Sequence, residues 1–339
     1  MSKSKGNKGS SEKRVVGITG LNIKELLLRS PEIGTLVAII GLYIAIGLVN
    51  TRFWEPMTLL TIARWFAGIG TLAIGESMVL IIGGIDLSVG SLASLSSMLF
   101  AHLIVNIGVD TTLAFIATLC MGVAVGLYHG FIVSRFSPPL PTVVPAFVAT
   151  LGSLFLLRGF AIGYWRGYPV KIHDIFKISF LASPYGGIVI LVIIIVLTLF
   201  IQRYTAIGRY LYAIGGNLEA ARVAGIPIHK VRVFAFAYSG MCASLAGMIY
   251  TGLVASGYAD IAAGQELLAI ASNALAGVSL AGGEGNAINA MLGGFLVSMV
   301  RTGIIFLGIS AYWQDVAAAI LLVLAVIVDL TRRVAFGRA

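Results

Sequence analysis

Long apolar runs, parted by short polar or charged breaks, account for nearly the whole chain. Their lengths suit bilayer spans, because a helix needs roughly 17–25 apolar residues to cross ~30 Å of hydrocarbon. About ten such runs lie near 33–50, 58–82, 87–107, 111–135, 143–165, 186–202, 234–256, 266–282, 287–308 and 313–329. The eighth and tenth are short, and only the Gly83–Asp86 break separates the second from the third. The pattern predicts an all-α polytopic membrane protein of about ten transmembrane or half-spanning helices. The first run has no small-residue cleavage site after it and reads as a retained span.

The polar positions divide the chain further. Residues 1–32 form a basic tail with too little apolar surface to pack a core, so disorder is expected there. Residues 33–329 make the membrane domain, with a polar loop at 203–233, and 330–339 form a second basic tail. Charge then orients the bundle. The tail residues Lys3, Lys5, Lys8, Lys13, Arg14, Lys24 and Arg29, the loop residues Arg203, Arg209, Arg222, Lys230 and Arg232, and Arg135, Arg332, Arg333 and Arg338 all fall on one side. Cytoplasmic loops carry such an excess, which predicts N-in and C-in with the 203–233 loop cytoplasmic. Arg166, Lys171 and Lys177 are the exceptions. Phe53, Trp54, Trp165, Tyr168, Tyr312 and Trp313 fall at the predicted outer boundary, where amphipathic rings are favoured.

Composition removes other classes. The 339 residues are 58% hydrophobic and 11% charged, where a soluble domain carries about a quarter charged residues. The net charge of +9 sits in loops rather than along a stripe, so no nucleic-acid partner is expected. Cys120, Cys242 and the histidines His102, His129, His173 and His229 are too scattered for a disulfide framework or a metal site. No Gly-Lys dipeptide occurs, hence no Walker loop, and neither G-x-S-x-G nor H-E-x-x-H is present. The chain reads as a non-enzyme without a cofactor. The 41 glycines, many inside spans, suit close helix approach.

The stretch GGIDLSVGSLASLS, Gly83 to Ser96, places an acid and several serines where lipid demands hydrocarbon. A backbone break with a carboxylate at membrane depth must be enclosed by protein or line a wet path. Asp86 and Ser88 are both helix-capping residue types, and a cap alone accounts for Asp86; a path for a polar solute is the functional reading. Glu76, Gly83, Gly84, Asp86, Ser88, Asn273 and Gln314 are the candidates for such a path. Leu72-Ala73-Ile74 before Gly83-Gly84 has a weak echo in Leu268-Ala269-Ile270 before Gly282-Gly283, in the direction of a parallel repeat. Among the other membrane charges, Arg64 and Arg301 can snorkel to headgroups, and Glu266, Arg301 and Asp315 are placed to form a charge cluster in the outer half.

In the 203–233 loop, Gly216–Arg232 reads GNLEAARVAGIPIHKVR. A short helix from about Leu218 to Ala224, ended by Gly225 and Pro227, is predicted. It is too short to hold alone in water and is expected to dock, with Glu219 and Arg222 available to a partner.

Taken together, these motifs closely resemble the permease subunits of ribose-type sugar importers in the ATP-binding-cassette superfamily. The resemblance runs from about Asn50 to Asp329. It rests on Gly83 to Gly90, on Pro145 to Gly152 leading into Arg158-Gly159, and on Gly215-Gly216-Asn217 through Glu219-Ala220-Ala221-Arg222 to Ala224-Gly225-Ile226. Ser239-Gly240, Leu245-Ala246-Gly247, Gly277 to Gly285 and Trp313-Gln314 match as well. The basic N-terminal tail and the proline-rich SPPLP before Pro145 depart from the family pattern. The resemblance implies an extracytoplasmic sugar-binding protein, a second permease subunit and a separate ATPase on the cytoplasmic face. It also makes Asn217, Glu219, Ala220, Ala221, Arg222 and Gly225 a coupling helix that seats in that ATPase. The alternative is a stand-alone, ion-coupled secondary transporter, for which broken helices and membrane carboxylates also suit.

Overall fold

A computed structural model describes residues 30–136 and 143–335; the basic N-terminal tail, the proline-rich segment 137–142 and the last four residues lie outside them. The principal helices are α1 (Pro31–Val49), α2 (Pro56–Ile81), α3 (Val89–His102), α4 (Thr111–Phe136), α5 (Val143–Trp165) and α6 (Gly186–Tyr204). They continue with α7 (Ala206–Gly216), α8 (Leu218–Val223), α9 (Ile228–Val254), α10 (Gln265–Leu275), α11 (Ala287–Phe306) and α12 (Gln314–Ala335). Among the described residues, α1, α2, α3 with its helical continuation to Ile107, α4 to α6, α9 and α11 are long and apolar enough to cross a bilayer. Of the two runs that look short in the sequence, the eighth falls below this length, while the tenth lies in the longer α12. Helix α10 has 11 residues, and α12 has 22.

Local signals set most helix ends. Proline opens α1 and α2 at the first helical position, where its missing N–H costs nothing. Gly83, Gly225, Gly277 and Gly308 close α2, α8, α10 and α11 with φ between 73° and 96°. After α2, Gly83 N–H reaches Leu80 O at 2.8 Å and Gly84 N–H reaches Val79 O at 2.9 Å, the paired bonds of a Schellman end. The run expected over 266–282 therefore stops at Leu275, because Gly277 turns the chain. The run expected to begin at 234 begins at Ile228: Arg232 is carried into the bundle with 2% of its surface exposed. Outside the helices, Val170–Lys171 and Ser256–Gly257 form a two-residue antiparallel ladder.

The boundary aromatics divide. Trp54, Tyr168, Tyr312 and Trp313 are exposed, whereas Phe53 is fully buried and the indole of Trp165 donates to His102 Nδ1 at 3.1 Å. Phe53 and Trp165 are thus packing residues.

Helix α9 is the axis of the bundle. It is 78% buried over its most apolar window, against 22% for peripheral α1, and it packs on α4, α2 and α3. Its contact with α4 is backbone against backbone. Gly122, Gly126 and Gly130, four residues apart, face Gly240, Phe236 and Val233, and a Cβ on any of the three would enter that neighbouring main chain. Lipid tails are as apolar as leucine, so helices inside a bilayer associate through such close packing rather than through hydrophobic burial.

A second glycine contact joins three chain breaks at one end of the bundle. Gly83 after α2, Gly215 at the end of α7 and Gly282-Gly283 between α10 and α11 lie against one another. Gly283 N–H donates to Ile81 O at 2.9 Å. Tyr212 on α7 donates to Gly285 O at 2.8 Å, and Gln202 on α6 accepts from Ala287 N–H at 3.0 Å. The glycine pairs that echo each other in sequence are therefore contact partners. They are not equivalent positions of a repeat, since Gly277, not Gly282, ends α10.

Gly215 and Gly216 separate packing from flexibility. A Cβ on Gly215 would strike Ile81 O, whereas one on Gly216 meets nothing. Gly215→Ala is expected to cost roughly 1–3 kcal/mol by overpacking and to lower the unfolding temperature in detergent; Gly216→Ala should leave it unchanged.

Candidate functional site

The break over 82–88 is enclosed in protein. Asp86 Oδ1 accepts from Ser88 N–H at 2.9 Å and from Ser88 O–H at 2.6 Å, and Oδ2 accepts from Ser239 Oγ on α9 at 3.3 Å. Asp86 thus holds the turn ahead of α3, while Ser88 is the N-cap residue and spends its hydroxyl on Asp86. Glu76 Oε1 accepts from Asp86 N–H at 3.0 Å, and its Oε2 is buried without a partner. Thr150 on α5 accepts from Leu87 N–H at 3.1 Å. His129 on α4 lies 3.4 Å from Ser88 Oγ through Nδ1 and 2.7 Å from Ser153 Oγ through Nε2.

These contacts form one polar core joining α2, α3, α4, α5 and α9. Glu76, Asp86, Ser88, His129 and Ser239 are each no more than 1% exposed. The capping and path readings of Asp86 therefore separate in this conformation: the carboxylate organises the break and faces no open channel. Asn273 does similar work, donating to Ala73 O and Ala269 O at 2.8 Å each, which pins α10 to α2. Gln314 is not with the others. It sits at the start of α12 beside Arg301, whose Nε and Nη2 donate to Gln314 Oε1 at 3.3 and 3.0 Å.

The outer charges do not gather as expected. Arg301 is held by Gln314, while the Glu266 carboxylate lies over Gly90 in the first turn of α3, so the two are not paired. The side chain of Asp315 lies outside the described residues. The ion pair at this end is instead Arg158–Asp260 at 2.9 Å. Asp260 and His129 carry no sequence signal, since their partners lie in other helices and the spacing is fixed only by folding.

The short helix in the polar loop follows its prediction closely. Asn217 caps α8 by accepting from Ala220 N–H at 2.9 Å, and Gly225 ends it at φ +74°. Leu218 and buried Ala221 anchor one face. Glu219, Ala220, Arg222 and Val223 face outward, and Val223 is 89% exposed. Glu219 pairs with Arg222 at 2.9 Å, an exposed bond of small worth. The helix is thus a rigid, largely uncovered projection that starts directly after Gly215-Gly216.

Residues 58–326 match the family of branched-chain amino acid transport system permease components. The chain belongs to this family. It is accordingly a multi-pass permease of the inner membrane, of the type found in ATP-binding-cassette importers. The ribose import permease protein RbsC of Escherichia coli K12 is 34% identical over 303 residues, 87% of this chain and 92% of the relative. RbsC of Bacillus subtilis is 32% identical over 305 residues, covering 88% and 92%. The autoinducer 2 import system permease protein LsrC of Yersinia enterocolitica is 32% identical over 309 residues, covering 89% and 83%. No solved structure matches.

Asp86 gives the permease core its sharpest test. Asp86→Ala leaves two hydroxyls and one N–H without an acceptor, a loss of about 3 kcal/mol, and Ser239→Ala removes a single bond, about 1 kcal/mol. Thermal unfolding in detergent should rank the variants in that order.

Proposed function

We propose that this chain is the membrane subunit of an ATP-driven importer of a monosaccharide or similar small sugar. An extracytoplasmic binding protein delivers the solute, and a second permease chain completes the pore. The N-terminus and α8 face the cytoplasm, where a separate ATPase subunit docks on α8. The observation that carries this reading is the placement of α8. A six-residue helix cannot persist alone in water, yet here it is capped at both ends and anchored through Ala221, with its other face uncovered. A rigid projection of this kind serves to receive force.

The force has a defined route. Gly215, three residues before α8, lies on the last carbonyl of α2, and Gly283 is hydrogen-bonded to that same carbonyl. A displacement of α8 is passed to the end of α2 without an intervening side chain to absorb it. The next residues along the chain are the break and Asp86, whose bonds reach α3 and α9. Closed packing of this kind switches between discrete arrangements rather than deforming continuously. The Asp86 network supplies the element that must rearrange when a path opens.

Uptake by proteoliposomes holding the full assembly should need ATP and survive collapse of ion gradients; solute movement by this chain alone on an ion gradient would overturn the reading. Glu219→Arg, which replaces the Arg222 pair with like charges, and Gly225→Val, strained at positive φ by roughly 1–3 kcal/mol, should both disconnect the lever. Uptake is expected to fall about tenfold or more, the effect of ~1.4 kcal/mol, while basal ATP hydrolysis persists in both and thermal stability holds in Glu219→Arg. Normal ATPase association and transport in Glu219→Arg would refute the assignment of α8.

A further inference from the structure

A cavity of about 150 Å³ opens at the other end of the bundle, between α2, α9, α10, α11 and the start of α12. Trp65 on its wall is 16 residues before Ile81 on α2, about 24 Å along the helix axis at 1.5 Å per residue. The cavity is therefore remote from the glycine contact. Its volume is several times the roughly 15 Å³ that one water requires. We propose that it holds one neutral cyclic polyol, a monosaccharide, as a staging site on the way through the permease; this rests on the importer reading above.

The wall has two kinds of surface. Trp65 and Tyr250 stand with ring centroids 6.2 Å apart and planes tilted by 40°. Gly68 leaves the room that the Tyr250 ring occupies. Trp65 is 43% exposed and lines the cavity. Opposite these rings is a held polar set. The Arg301 clamp on Gln314 uses two of the five guanidinium N–H donors, and Gln314 Nε2 returns a bond to Arg301 O at 3.3 Å. Tyr250 Oη donates to Gln265 Oε1 at 3.3 Å, which orients its oxygen lone pairs. Tyr250 and Gln265 are 1% and 4% exposed, so they are fixed parts of the site.

This set selects for hydroxyls. A sugar hydroxyl both donates and accepts, and the cavity offers a cationic donor beside hydroxyl acceptors. Its C–H faces suit the rings, since aromatic surface with a few placed polar groups is the usual make-up of a small-molecule site. No carboxylate is among the described lining residues, so the set offers no anionic partner to a cation.

The test uses the complete importer in proteoliposomes, with ATP and saturating binding protein, and with D-ribose, D-galactose and L-leucine as probes. Trp65→Ala removes an exposed ring and should lower sugar uptake about tenfold, with Trp65→Phe recovering most of it. Ser298→Met fills the cavity and should lower uptake similarly; in both cases the unfolding temperature and ATPase rate should hold. Should Ser298→Met misfold, Trp65→Ala decides alone. Unchanged uptake and unchanged sugar preference in a folded Trp65→Ala protein would overturn the cavity assignment while leaving the importer reading intact. ATP-driven uptake of L-leucine with neither sugar transported by the wild type would overturn both.

Discussion

The hydrogen bond from Gly283 N–H to Ile81 O, with glycines closing on it from two sides, resolves the main physical problem of this chain. Helix α2, helix α7 and the α10–α11 loop all interrupt their backbones at the same end of the bundle. Each interruption exposes carbonyls and N–H groups that lipid cannot satisfy. Schellman ends satisfy some of them locally, and direct contact between the three breaks satisfies others. Contact at this range excludes side chains, which is why glycine occupies Gly83, Gly215, Gly282 and Gly283 together. Everything that hangs from those breaks, α8 on one side and the Asp86 core on the other, is placed by that contact.

The polar core obeys the same rule with side chains. Asp86 and Glu76 are carboxyl groups with no exposed surface, yet Asp86 is met by three donors and Glu76 by one backbone N–H. A buried charge is tolerated only when such partners surround it. The arrangement is closed, and it ties five helices, so any opening must exchange these bonds together. The aromatic cavity opens farther along α2, where Trp65 lies about 24 Å from the glycine contact at Ile81. In the proposed reading, force reception, gating and solute contact fall to different stretches of the same bundle, joined by α2 and α9.

Much of the candidate site was legible residue by residue wherever the chemistry is local. The Asn217 cap, the Gly225 terminus and the break after Gly83 follow from backbone geometry that one residue type satisfies best. Legibility failed where a partner is distant in sequence. His129 looks like any packing histidine until Ser88 and Ser153 arrive from other helices. Glu266 and Arg301 share an outer level of the bundle but point to different neighbours, Gly90 and Gln314. Phe53 and Trp165 read as boundary anchors by position, yet packing draws both inward. Even the glycine echo had a cause, though a different one: the pairs resemble each other because they touch.

Hydrophobic periodicity and composition alone determined that this is a helical membrane protein, that its chain breaks after Gly83, and that a small capped helix stands in a basic loop. Those features depend on solvent transfer and on local dihedral preference, which act over a few residues and leave their mark in order along the chain. The tertiary structure decided which breaks meet, which carboxylates are satisfied, and which aromatic and polar groups enclose a cavity. Those outcomes depend on the rotation and depth of each helix against its neighbours, and close packing between helices sets both only when the whole bundle is assembled.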